Sequence, residues 1–137
     1  MPLSNIFDIA GSAMSAQTLR LNTVASNLAN ADSVASSPTA AYHARSPVFS
    51  AVMQGVGRQS ESVGVKVLGV VESQAPVTKQ YSPGNSLADA EGYIYTTNVN
   101  PVEEMANMIS ASRSYQNNVE VLNTSKQLLL STLKLGQ

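Results

Sequence analysis

His43 is the only histidine in the sequence, and with no cysteine anywhere it has no thiolate companion for a zinc site. It lies in a stretch of loose strand alternation and reads better as a solvent-facing strand residue than as a metal ligand. Asp89 and Glu91 are two apart with Gly92 following, yet the oxygen-ligand spacing of a calcium loop is missing. Glu103 and Glu104 are adjacent, so on a helix they diverge and cannot act as a paired acid and base. Serines are numerous, but no Gly-x-Ser-x-Gly elbow presents one as a nucleophile. Gly55 and Gly57 have no lysine placed to complete a phosphate loop. These residues define no catalytic site, no cofactor site and no metal site. The chain reads as a non-enzyme.

The acidic pair has a simpler use. Asn100 is a good helix N-cap, Pro101 fits the first helical position, and Glu103 and Glu104 then complement the positive end of the helix dipole. The helix they open continues to the C-terminus without another proline or an internal glycine before Gly136. Met105, Met108, Ser112, Tyr115, Val119, Leu122, Lys126, Leu129 and Leu133 follow by alternating steps of three and four, a heptad seam along a rod of roughly 50 Å. A rod of that length exceeds what a compact core of this chain needs, so the seam requires a partner.

A second seam runs through residues 4–31: Leu3, Phe7, Ala10, Met14, Gln17, Leu21, Val24, Leu28 and Ala31, with Ser4 or Asn5 as the expected cap. Gln17 and Ser112 are polar interruptions suited to fixing register. The same spacing also fits ordinary amphipathic helices on a globular core. The first helix should fade in Ser26–Ser33, where asparagine and aspartate side chains compete for backbone hydrogen bonds. Val34–Ala41 has loop composition. Strands are expected over Tyr42–Val52, with Pro47 confining it to an edge, and over the valine-dense Gly64–Glu72. Pro76–Tyr81 is expected to pair with the latter. Gln54–Ser62 reads as a loop, Pro83-Gly84-Asn85 as a turn, Leu87–Gly92 as a short loop, and Tyr93–Tyr95 as a last short strand. The fold class is α+β: long N- and C-terminal helices in an antiparallel, coiled-coil-like pair (residues 1–33 with 98–137) and a small β-rich middle (residues 34–97).

Composition narrows the partners. The net charge is −1 and charged residues make up 12%, against about 25% for an ordinary solvated domain. No basic face is available for nucleic acid. No window approaches a membrane span, and the first residues lack the basic and apolar regions of a cleavable secretory signal. Asn, Gln, Ser and Thr fill the polar positions, a composition that tolerates being covered by another subunit.

The run Asn5-Ile-Phe-Asp-Ile-Ala-Gly-Ser-Ala-Met-Ser-Ala-Gln-Thr-Leu-Arg-Leu-Asn and the motif Ser26-Asn-Leu-Ala-Asn-Ala resemble the signature of the flagellar basal-body rod proteins. The resemblance continues through Glu72-Ser-Gln-Ala-Pro, Tyr81-Ser-Pro-Gly-Asn-Ser-Leu-Ala-Asp-Ala, Ser110-Ala-Ser-Arg-Ser-Tyr and the ending Leu135-Gly-Gln. Where many relatives turn with Thr-Pro-Gly-Tyr, this chain takes the longer path from Ser33 to Tyr42, a feature similar to the proximal-rod branch. The resemblance implies a structural subunit of the periplasm-spanning drive shaft, exported by the flagellar type III apparatus without a cleaved signal. Its implied partners are copies of itself, other rod proteins, the export apparatus, the MS-ring junction protein and the surrounding rings. Neither nucleic acid nor membrane insertion is among them, and no cofactor is implied.

The residues expected to carry helix packing and subunit contacts are Phe7, Met14, Leu21, Val24, Asn27, Leu28 and Asn30 in the first helix. In the second they are Met105, Met108, Ser112, Tyr115, Val119, Leu122, Leu129 and Leu133. A seam with this much Ala, Ser and Gln buries little on its own, so the ends are expected to order fully only on assembly. Two further readings stay open: an exported adaptor using the same helices for a different axial partner, and a periplasmic hydrolase built around His43.

Overall fold

A computed structural model describes residues 3–54 and 62–135. Gly55, Gly57 and nearly all of the expected 54–62 loop lie outside the described residues. In chain order the elements are α1 (Leu3–Ala29), β1 (Val34–Ala35), β2 (Arg45–Gln54), β3 (Ser62–Glu72), β4 (Thr78–Tyr81), β5 (Tyr93–Thr96) and α2 (Pro101–Leu135). The class is α+β, with two long terminal helices packed together and a β-rich middle between them in sequence.

The helix ends follow local chemistry at the start of α2 and the end of α1. The side chain of Asn100 accepts from the Val102 amide at 3.2 Å, and its carbonyl accepts from the Glu104 amide at 3.0 Å, closing the first turn of α2. At the same end of the pair α1 stops at Ala29. There Asn30 turns its side-chain amide back onto the Ser26 carbonyl at 2.8 Å, and Ser33 donates to the Asn30 carbonyl at 2.8 Å. The start of α1 departs from expectation: it already runs from Leu3, so Asn5 lies within the helix instead of capping it.

Two long-range bonds set the direction of the helix pair. Thr97, just before α2, donates to the Ala31 carbonyl at 3.1 Å, and Arg20 donates to Asn107 at 3.0 Å. Moving back along α1 therefore means moving forward along α2, an antiparallel arrangement. Continued at 1.5 Å per residue, this register brings Leu3 level with about Ser125. The last roughly three turns of α2 project past the described start of α1.

The other side of α1 carries a hairpin. β2 and β3 pair antiparallel from Arg45↔Glu72 to Gln54↔Ser62, with a register shift between Val48 and Phe49. Arg45 is tied to Asn27, and the Val65 amide donates to Ser12 at 3.2 Å. Asn27 to Ser12 spans about 22 Å of helix, and Arg45 to Ala51, the partner of Val65, about 20 Å of strand. The matching lengths mean that the hairpin lies along the helix axis. Pro47 faces Val70 in this two-stranded sheet, where both strands are edges and a missing donor is tolerated. α1 is thus clasped between α2 and the hairpin, and its one exposed strip is Asp8, Ser15, Thr18, Asn22, Ala25 and Ala29.

The remaining strands correct two expectations. Thr78–Tyr81 pairs with β5, not with the valine-dense strand, and the stretch read as loop contributes β1, giving the order β1-β5-β4. The reason is local. β3 already pairs with β2 along its whole length, and the connection 82–92 is folded back by its own hydrogen bonds, which lays β5 on β4. The connection is built around Asp89, whose carboxylate accepts from the Glu91 and Tyr93 amides at 2.9 Å and from the Tyr95 hydroxyl at 3.1 Å. Gly92 makes the turn with φ 84°, and a Cβ there would meet the Tyr81 ring at 3.0 Å.

The Tyr93 amide above all, with the Glu91 amide, Tyr95 and Lys79, outweighs partial burial and holds the Asp89 carboxyl below its usual range. That preference is fully present above the ordinary carboxylate pKa and is lost as pH falls through the lower, folded value. Acidification from about pH 5 to pH 2 should therefore loosen the β4–β5 turn, read as loss of the near-ultraviolet tyrosine signal of Tyr81, Tyr93 and Tyr95. Asp89→Asn should flatten this acid limb. An unchanged limb in the variant would assign it to another carboxylate.

Candidate functional site: a helical assembly surface

The contact between the helices is made of small side chains. On α2, Ala111 is 0% exposed and Ser125 6%, with Asn118 half-buried midway between them at heptad spacing. Ala10, Ala16, Thr23 and Val24 are buried on α1, Ala16 and Thr23 in helical phase with Ser12 and Asn27, which bond the hairpin. Small residues let helix axes approach closely, and interaxial distance is set by the side chains at the contact. Met108, Leu122 and Leu129 flank this line and are half-buried. Relative to the expected α2 seam, one row of positions is shared (Met108, Leu122 and Leu129, with Tyr115 in phase but exposed) and the other is taken by Ala111, Asn118 and Ser125, one residue earlier than Ser112, Val119 and Lys126. The signal for that row is its spacing of seven, masked in the sequence by its small, polar members.

Asn27 is the most buried large polar side chain, at 1% exposure. Its Nδ2 donates to the Arg45 carbonyl at 2.8 Å, and its Oδ1 accepts from the Arg45 amide at 2.9 Å. The side-chain amide thus pairs with one residue's backbone in both directions, as a neighbouring strand would. The Tyr42 hydroxyl adds a third bond to Oδ1 at 3.0 Å and lies 3.2 Å from the Ser26 hydroxyl. Asn98, at the foot of α2, instead bridges two segments, accepting from the Ala44 amide at 2.7 Å and donating to the Ala75 carbonyl at 2.8 Å. His43 is part of this knot. It is half-buried ahead of β2, not a solvent-facing strand residue, and its Nδ1 donates to the Ser73 carbonyl at 3.1 Å.

The remaining expected contact residues divide by position. Phe7, Met14, Leu21 and Leu28 are half-buried on α1 and Val24 is buried, with Asn30 half-buried at its end. Ser112 and Val119 are half-buried on α2, while Met105, Tyr115 and Leu133 are exposed. They join Val102, Ile109, Val121, Leu128 and Leu130 among the exposed apolar side chains of that helix. Val63, Leu68, Val70 and Val71 of β3 are exposed as well, distributed over both faces of the strand. So much bare apolar surface on two elements is the mark of an interaction protein.

The cleft where α1, α2 and β2 meet encloses about 360 Å³ and is lined by Gln17, Arg20, Val24, Phe49, Glu104 and Asn107, among others. Arg20, Glu104 and Ser46 all line it, with no histidine beside them, and Arg20 spends its bond on Asn107. Among the described residues no group of His, Asp and Glu is placed to hold a metal ion, and no helix is long and apolar enough to cross a membrane.

A long antiparallel helix pair, bare on one side and anchored by asparagines to a small β unit, defines a structural interaction module. Known proteins with this sequence pattern agree. The family described as "Flagella basal body rod protein" matches residues 7–35, and "Flagellar basal body rod FlgEFG protein C-terminal" matches residues 90–135. The chain belongs to the flagellar basal-body rod proteins. Within them it is similar over its whole length to the flagellar basal-body rod protein FlgC of Salmonella typhimurium, 56% identical over 140 residues with both chains fully covered. FlgC of Escherichia coli O157:H7 is 56% identical over 137 residues, and that of Buchnera aphidicola from Acyrthosiphon pisum 44% over 139, again over the full length of each.

Asn27→Ala would leave the Arg45 amide and carbonyl and the Tyr42 hydroxyl without their buried partner. Unsatisfied groups of this kind cost about 1–3 kcal/mol each, so a loss of roughly 2–4 kcal/mol is expected in urea unfolding. Asn27→Asp keeps the acceptor but forfeits the donor to Arg45, and should also destabilise. A change below about 0.5 kcal/mol for both would remove Asn27 from the role given to it here.

Proposed function

We propose that this chain is a structural subunit of the proximal part of the flagellar rod, assembling through its terminal helices into the shaft that crosses the periplasm and transmits torque. Membership of the rod family supports the rod, and the observation that carries the mechanism is the exposed apolar surface of α2. A 35-residue helix, roughly 50 Å long, is covered on one side by a 27-residue helix and leaves Val102, Met105, Ile109, Val121, Leu128, Leu130 and Leu133 bare. A row of such contacts resists shear through interdigitated side chains, the property a drive shaft needs. Residues 1–33 with 98–137 act as the rod-core unit and 34–97 as an outer β-rich unit. The partners are copies of this chain, other rod proteins, the MS-ring junction and the surrounding rings, reached through the flagellar type III export apparatus without a cleaved signal. No catalysis is involved.

Phe7, Met14, Leu21, Val24, Asn27, Leu28, Asn30, Met105, Met108, Ser112, Tyr115, Val119, Leu122, Leu129 and Leu133 carry packing within and between subunits. The supporting feature is their position on, or beside, the two helical seams. Leu28→Asp or Val119→Asp should abolish incorporation into basal bodies, scored by motility and by subunit content of purified basal bodies, while secretion of the subunit persists. Loss of secretion alone would assign those helices an export signal instead. Amide exchange on the dilute monomer should be fast in the last turns of α2 and slow around Asn27. Strong protection through Leu133 would contradict assembly-dependent ordering.

A further inference from the structure

The sheet β1-β5-β4 ends in an open edge at β4, all of whose residues are exposed. In an antiparallel pair, residues alternate between bonding the neighbouring strand and turning their amide and carbonyl away from it. The turn fixes which residues do which. The Tyr93 amide donates to the Asp89 carboxylate at 2.9 Å, and the Tyr93 carbonyl accepts from the Asp89 amide at 2.8 Å, so Tyr93 bonds away from β4. The Ser82 amide donates to the Gly92 carbonyl at 2.9 Å, which agrees with that phase. Tyr81 pairs with Tyr93 and Lys79 with Tyr95, so the backbone groups of Lys79 and Tyr81 point out of the sheet. Among the described residues nothing bonds them.

An open edge is commonly guarded by a lysine that projects from it. Lys79 does not project. Its ammonium is drawn back across the sheet, 4.0 Å from the centre of the Tyr93 ring and 3.5 Å from the Glu91 carboxylate. Only its aliphatic stem is left along the edge, beside a Tyr81 ring that is 63% exposed and touches Tyr93 edge-on. Ile94 is buried on the opposite face, so the tyrosines look outward. Pro76 and Pro83 lie just outside the strand and confine the free backbone to this stretch.

We infer that β4 accepts an extended segment of a partner protein as an additional antiparallel strand, in register with residues 78–82. The added backbone bonds the outward amides and carbonyls of Lys79 and Tyr81. Its side chains opposite those two residues fall on the tyrosine face, where β-branched or aromatic groups pack on the Lys79 stem and the Tyr81 ring. The adjoining turn carries Asp89 and Glu91 against Lys79 alone, so the fitting segment is basic and an acidic one is repelled. The site belongs to the β-rich unit, uses neither helical seam, and stands apart from the rod reading.

Amide exchange of the full chain by nuclear magnetic resonance, with and without the peptide acetyl-Lys-Val-Thr-Val-Lys-amide, tests this. In the free protein the Lys79 and Tyr81 amides should exchange quickly and the Gln80 amide, which faces β5, slowly. At about 1 mM peptide the first two should become protected and the third stay as it was. Lys79→Pro removes the outward donor while sparing the bonds to β5, and should weaken binding about tenfold. Lys79→Ala keeps the donor and should weaken it less. The acidic peptide acetyl-Glu-Val-Thr-Val-Glu-amide should bind about fivefold more weakly than the basic one. The two peptides are compared on the wild type, so they decide the matter even where Lys79→Pro fails to fold. No protection by the basic peptide, equal binding of the acidic one, or a folded Lys79→Pro that binds like the wild type overturns the inference. Protection that grows with protein concentration and needs no peptide also overturns it, since the occupant is then a second copy.

Discussion

The structure depends on a mismatch: the chain builds one helix that its other elements cannot cover. Folding buries α1 on nearly all sides, between α2 and the hairpin, yet among the described elements α2 packs closely on α1 alone. The buried line between them is alanine and serine, which permits close approach but removes little apolar area from water. The leucines, methionines and valines that would carry most hydrophobic free energy are left outside. A monomer arranged this way trades its own stability for surface that only neighbours can use.

The asparagines hold this arrangement together because each bonds the backbone of other segments. Asn27 gives β2 the hydrogen bonds a neighbouring strand would give, and so fixes the hairpin on the helix at one point. Asn98 bridges the foot of α2 to the segments around Ala44 and Ala75. Thr97 ties that foot to the end of α1. Most of the polar order therefore sits at one end of the helix pair, while α2 grows barer toward the other. Surface ion pairs such as Arg45–Glu72, largely solvated, add little to this.

That gradient suits a subunit whose anchored end positions a projecting one. His43, read from the sequence as a solvent-facing strand residue, is instead one more strut in the anchored knot. The cleft around Arg20 and Glu104 is a junction of three elements with mixed polar and apolar walls.

The sequence by itself determined the helices, their heptad spacing, the Asn100 cap and the two long strands, because all of these are set by contacts within a few residues. It also carried the family signature in residues 5–31, 72–76, 81–90 and 100–137. Tertiary structure alone decided three things. Thr78–Tyr81 pairs with β5 because Asp89 and Gly92 fold the connection back, a closure that valine density does not reveal. The α2 seam runs through Ala111, Asn118 and Ser125, one residue from the row that apolar periodicity favours, since the tightest helix contact selects small side chains over apolar ones. Asn27 binds the Arg45 backbone across the fold, a long-range bond that no local pattern encodes. Periodicity reports which faces are apolar; only the packed chain decides which of them stays bare.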